Sequence, residues 1–122
     1  IAIPQYQNYT GRAQLSDAIT IASGLKTAVG EVYQVTGDSG SADSGALGIP
    51  ASIASGAGKY ASSVSVENGT ITVVMNTSGV ATCVSGATVT LTPNFPSGQD
   101  APISWTCSTA AAAGCRPASC AG

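Results

Sequence analysis

The chain has 122 residues, six acidic and four basic side chains, no histidine and a net charge of −2. That length builds one domain with a real core and not two. The charge balance offers no basic footprint for nucleic acid, and the commonest general base is missing. Hydrophobic residues make up 43% and charged residues only 8%, far from the low-hydrophobicity, high-charge profile of a disordered chain. Its polarity comes from Ser and Thr hydroxyls. These cost much less to desolvate than charges, so such a surface suits packing against copies of itself. It equally suits a neutral secreted protein.

Residues 1–36 read as one helix. Leu15, Ala18, Ile19, Ala22, Leu25, Val29, Val32 and Tyr33 recur at the spacing of a single buried stripe. Ala13, Ser16, Asp17, Thr20, Gly24, Thr27 and Glu31 fall on the other side. Gly11, Gly24 and Gly30 each cost about 1 kcal/mol relative to Ala in a helix interior. They imply either close approach to another surface or a tolerant exposed face. Pro4 breaks a helix unless it sits in the first turn or at a kink. The apolar Ile1-Ala2-Ile3 ahead of it reads as the end of a hydrophobic helix continuing upstream. Gly37 is placed to end the helix in the left-handed conformation.

Residues 37–58 form a long Gly, Ser, Ala and Asp connection anchored by Leu47, Ile49 and Ile53. A short helical turn is predicted over 50–55, with Pro50 at its start. Residues 59–107 read as an antiparallel sheet. Val64 and Val66 alternate with serines. Asn68-Gly69 is a strong hairpin signal. Ile71, Val73 and Met75 follow, and then a turn-rich link over 77–86. Ala87, Val89 and Leu91 alternate with threonines, and Ile103 and Trp105 alternate with Ser104 and Thr106. Four half-buried strands need a cover, and the helix has a stripe of the right kind. The predicted class is α+β, a long N-terminal helix packed on a four-stranded antiparallel sheet. Trp105 and Tyr60 read as core or sheet residues rather than binding platforms.

Cys83, Cys107, Cys115 and Cys120 are spaced by 24, 8 and 5. No Cys-x-x-Cys occurs, so disulfides in an oxidising compartment are a better reading than a zinc site. Spacing leaves all three connectivities open. The carboxylates are scattered, and Ser, Thr and Cys lack a partner base, so no catalytic constellation forms. Asp38 and Asp43 fit no EF-hand. No cofactor or metal is implied. Asn8, Asn68 and Asn76 head N-glycosylation patterns, of which Asn68 is better explained as a turn residue.

IAIPQYQNY, followed by Arg12, Ser16 and Ala18 in register, resembles the segment just after the hydrophobic half of the N-terminal helix in type IV pilins. SGLKTAVGEVY over 23–33 resembles the next turns of that helix. SWTC…RPASC, with Trp105 two residues before Cys107 and Pro117 three before Cys120, resembles the closing disulfide loop of these proteins. Motifs carry the resemblance over about half the chain, and residues 37–102 match in layout alone.

The resemblance implies a pilin fold closed by a disulfide-bonded loop over 107–120. It implies the pairs Cys107–Cys120 and Cys83–Cys115, the second being one bridge more than the simplest family pattern. Pro4 matches the family's helix-kink proline. The loop residues Thr109, Ala111, Gly114, Arg116, Pro117 and Ser119 become candidates to face a host-surface receptor, although the loop also serves simply to staple the last strand. A leader-cleaved, N-methylated hydrophobic half-helix is expected ahead of Ile1. It anchors such proteins in the inner membrane before the assembly machinery packs it at the filament centre. The implied function is that of a major pilin, a homo-oligomeric structural subunit of a helical surface filament. Such filaments serve adhesion, twitching motility and biofilm formation, with DNA uptake a further role and direct nucleic-acid contact disfavoured. The alternatives are a minor or competence pilin binding DNA or a receptor, and a type II secretion pseudopilin.

Overall fold

The computed structural model describes residues 3–37, 58–94 and 103–120, together with positions 43, 45, 49 and 52. The helical turn predicted over 50–55 lies outside the described residues except for Ser52. One helical stretch spans 3–36 as two segments, α1 (Ile3–Ser23) and α2 (Lys26–Thr36). The interruption has a local cause. Gly24 lacks the side chain that favours the helical state, and the ladder tightens there. The Gly24 N–H still donates to the Thr20 carbonyl at 3.1 Å, but the Leu25 N–H reaches back only three residues, to the Ala22 carbonyl at 3.0 Å. Pro4 is the second residue of α1. α2 ends at Gly37, whose φ of 69° lets its N–H donate to the Tyr33 carbonyl.

Four strands follow: β1 (Ala61–Glu67), β2 (Thr70–Met75), β3 (Thr88–Asn94) and β4 (Ser104–Thr109). They pair antiparallel in the order β1-β2-β3-β4. Asn68 and Gly69 join β1 to β2 with φ of 51° and 84°, the two positive values that a type I′ hairpin turn requires. The Asn68 N–H donates to Asp43 Oδ1 at 2.8 Å, which ties the long connection to this turn. Asp43 therefore serves the hairpin.

Register separates an apolar face from a mainly hydroxyl one, on which Val74, between Ser63 and Thr88, is the aliphatic exception. Val66, Ile71, Leu91 and Cys107 form one row across the sheet, and Val64, Val73, Val89 and Thr109 form the next. These rows face Leu15, Ala18 and Ala22 of α1, and Val29 and Val32 of α2 complete the same core. The opposite face carries Ser65, Thr72, Thr90 and Ser108 in one row and Thr92 beside Thr106 in another. Hydroxyl side chains suit this face, because β-branched threonine fits the pleat and needs no apolar cover. Trp105 is half-buried, opposite Pro93, with Lys26 Nζ 5.8 Å from its ring centroid. Tyr60 also packs partly buried against the core.

The polarity of the sheet is testable. Ile71→Ala removes a fully buried side chain and lowers stability by about 2–5 kcal/mol. Thr72→Ala on the hydroxyl face changes it by less than about 1 kcal/mol. Urea unfolding followed by circular dichroism measures both.

Candidate functional site in the bridged C-terminal loop

β4 runs directly into a loop built from two short 3-10 turns, Ala113–Cys115 and Ala118–Cys120. It has few polar side chains, and bonds to its backbone groups give it shape. The Ala111 N–H donates to Thr109 Oγ1 at 3.2 Å, and Arg116 Nε donates to the Ala111 carbonyl at 2.8 Å. The Cys115 N–H donates to the Ala112 carbonyl and the Cys120 N–H to the Pro117 carbonyl. Two disulfides close it. Cys107 is joined to Cys120 across 13 positions, and Cys83 to Cys115 across 32. Beside the second bridge, the Ala112 N–H donates to the Cys83 carbonyl at 3.3 Å. The loop is thus fixed to the last strand and to the link between β2 and β3 at once.

That link, in turn, is held by α1 along one edge of the helix. Asn8 Oδ1 lies 3.3 Å from Cys115 Sγ, and a side chain at Gly114 would stand 2.9 Å from Asn8 Nδ2. Gly11 faces the bridge. A Cβ there would meet Cys83 Sγ at 2.6 Å and Cys115 Sγ at 3.1 Å. Gln14, nearly buried, accepts the Ala81 N–H on Oε1 at 2.8 Å. Residues at i, i+3 and i+6 therefore seat the helix on the Cys83–Cys115 bridge and its neighbours. Of the three helix glycines, only Gly11 marks such an approach. Gly30 has nothing closer than Ile103 Cδ1 at 3.9 Å, and Gly24 meets only carbonyls of its own helix.

The loop residues singled out from the sequence divide by exposure. Ala111 is only 2% exposed and belongs to the core, so it faces inward rather than toward a receptor. Its N–H and carbonyl are bonded within the loop, and its methyl group is buried in the core. Gly114 is exposed, Thr109, Arg116 and Pro117 are half-buried, and Ser119 lies in the last 3-10 turn. The open surface offers small side chains, backbone groups and one guanidinium. No cluster of three or more His, Cys, Asp or Glu side chains that could hold a metal ion occurs among the described residues. The helix seat itself, Asn8 with Gln14, gave no signal in the sequence; only the glycine at position 11 pointed to it.

A helical stretch laid on a four-stranded meander, with a bridged C-terminal loop, defines a class. The model of the pilin family, proteins of bacterial filaments, matches residues 11–121, and the chain belongs to that family. Among its relatives, the fimbrial protein EcpC of Eikenella corrodens is 42% identical, over 98% of this chain and 76% of its own length. The type IV major pilin protein PilE of Neisseria gonorrhoeae is 41% identical over 88% of this chain. The chain spans about three-fifths of the length of the neisserial proteins it matches. The solution structure of the major type IV pilin PpdD from enterohemorrhagic Escherichia coli has the same fold, at a TM-score of 0.65 and 23% identity. That match covers 89% of this chain and 80% of the other.

Two measurements test the helix seat. Gly11→Ala lowers stability by about 1–3 kcal/mol, because a bridged sulfur cannot swing aside. Gly30→Ala raises it by up to about 1 kcal/mol, the helix-propensity gain in open space. Removing the long bridge with Cys83→Ala and Cys115→Ala costs about 3–4 kcal/mol. It also speeds amide hydrogen exchange over residues 8–15, which the bridge holds in place. Thermal unfolding and exchange mass spectrometry read these effects.

Proposed function

We propose that this chain is the globular part of the major subunit of a type IV pilus and acts structurally, with no catalytic activity. The observation that carries this reading is the identity of about 40% to fimbrial proteins and type IV major pilins over most of the chain. The names of these relatives favour a major subunit over a minor pilin or a secretion pseudopilin. The physical character of the surface supports it too. A face of serine and threonine can be covered by another subunit with little desolvation penalty.

In this reading, identical copies stack into a helical filament on the bacterial surface. A hydrophobic half-helix ahead of Ile1 would hold each copy in the inner membrane and later at the filament axis, with Pro4 at the bend between the two halves. No helix among the described residues is long and apolar enough to cross a membrane. The filament would serve adhesion, twitching motility and biofilm formation. A host-surface receptor would meet the loop through Gly114, Arg116, Pro117 and Ser119 and the backbone around them.

Deletion of the gene is expected to leave cells without surface filaments in negative-stain electron microscopy and without twitching zones on agar. Antibody against the chain should label wild-type filaments along their whole length. Full piliation of the deletion strain, or labelling confined to rare spots, would overturn the major-subunit reading.

A further inference from the structure

We propose that Asn68 is a self-modifying site, its side-chain amide lost to the backbone nitrogen of Gly69 at a rate set by the bond to Asp43. Asparagine stands at positions 8, 68, 76 and 94, followed by Tyr9, Gly69, Thr77 and Phe95. Only at 68 does the next residue lack a Cβ, so only there can its nitrogen approach the preceding side chain unhindered. Asn68 is exposed, and of the non-glycine residues described it alone has a positive φ, 51°. That conformation is uncommon for a residue with a Cβ, though asparagine tolerates it. The hairpin closes on the Glu67–Thr70 pair. In such a turn the ladder donor is the N–H of the fourth residue, Thr70, which leaves the Gly69 nitrogen outside the ladder.

The chemistry needs only water. The Gly69 nitrogen gives its proton to solvent and bonds to Cγ of Asn68, and ammonia leaves. Water then opens the resulting five-membered imide. Opening at Cγ gives aspartate, and opening at the α-carbonyl gives isoaspartate, whose main chain runs through Cβ. One amide is exchanged for one carboxylate, with no change of oxidation state. Gly69 is buried, and closing the ring needs its nitrogen turned toward the Asn68 side chain, a setting that the left-handed turn does not hold. The step therefore waits for the hairpin tip to open locally. Two contacts govern that opening. One is the Glu67–Thr70 pairing at the end of β1, which lies at the margin of the sheet. The other is Asp43 Oδ1, which accepts the Asn68 N–H at 2.8 Å and, as a carboxylate, binds it more strongly than a neutral acceptor would. After reaction a new carboxylate stands beside Asp43 and Glu67, and like charges oppose the contact that ties the long connection to the turn. Isoaspartate also adds one atom to the main chain, which a two-residue type I′ turn does not accommodate.

The test ages the purified, folded chain in neutral buffer at body temperature. Peptide mass mapping locates each amide-to-acid conversion, and labelling by an isoaspartyl methyltransferase reads the isoaspartate fraction. Conversion is expected at Asn68, with Asn8, Asn76 and Asn94 unchanged over the same period. Asn68→Gly keeps a residue suited to the turn and has no amide to lose, so its labelling should fall to background. Asp43→Ala is expected to speed conversion about two- to tenfold in the folded chain, the weight of one hydrogen bond. In concentrated urea, where the turn is gone, wild type and Asp43→Ala should convert at the same rate. Val89→Ala removes a fully buried side chain away from the tip, and should convert near the wild-type rate because the opening is local. An Asn68 that converts in urea but stays intact in the folded chain overturns the proposal, as does conversion spread evenly over the four asparagines. An unchanged rate in folded Asp43→Ala overturns it too. So does a Val89→Ala chain accelerated as much as Asp43→Ala, since the reaction would then follow global unfolding.

Discussion

The structure depends on covering one apolar sheet face with one helix. Two rows of valine, isoleucine and leucine cross β1 to β3 and end on Cys107 and Thr109 of β4, and Leu15, Ala18, Ala22, Val29 and Val32 join them in one core. At about 25 cal/mol for each Å² of apolar surface removed from water, this burial is the main force available to a chain with so few charges. An isolated sheet of this kind would expose its core, and an isolated helix of this composition would be marginal in water. Each needs the other. Because the small residues Ala18 and Ala22 are at the centre of the stripe, the helix can lie close to the strands.

Where the apolar contact ends, a different device takes over. At Asn8, Gly11 and Gln14, α1 meets sulfur and amide groups. Gly11 makes room for the Cys83–Cys115 bridge, and Gln14 accepts a backbone N–H from the link at Ala81. Such contacts give little transfer energy but fix position, since they tolerate neither a larger side chain nor a shift of one turn. The same bridge orders the C-terminal loop. One covalent link therefore couples the loop surface to the placement of the helix.

The sequence made the class of fold readable because its two periodicities are clean. Helical spacing over 15–33 and alternation in each strand point to opposite faces of one core, and Asn68-Gly69 marks the hairpin. Less was readable where the cause is tertiary. The tightening at Gly24-Leu25 depends on local backbone choice that propensity alone does not decide. The inward turn of Ala111 follows from loop hydrogen bonds, for which an alanine run carries no pattern. The seat formed by Asn8, Gly11 and Gln14 joins residues about 70 to 107 positions apart, and no local signal encodes such a pair. The exposure of Tyr9 was equally hidden, since an aromatic residue in a helix reads the same whether covered or bare.

The end of the chain has one more effect, on crowding. β4 is the last strand of the meander, and the turn at Ala118–Cys120, tethered through Cys107, packs against it. At the far side, β1 is irregular between Ala61 and Ser63. Open, flat strand margins invite fusion between molecules held side by side, and natural sheets blunt them by covering or bending them. A protein meant to stand in dense array with its own copies meets that hazard continuously. Here one margin is clasped and the other is bent, so that neighbours can associate through chosen surfaces without merging their sheets.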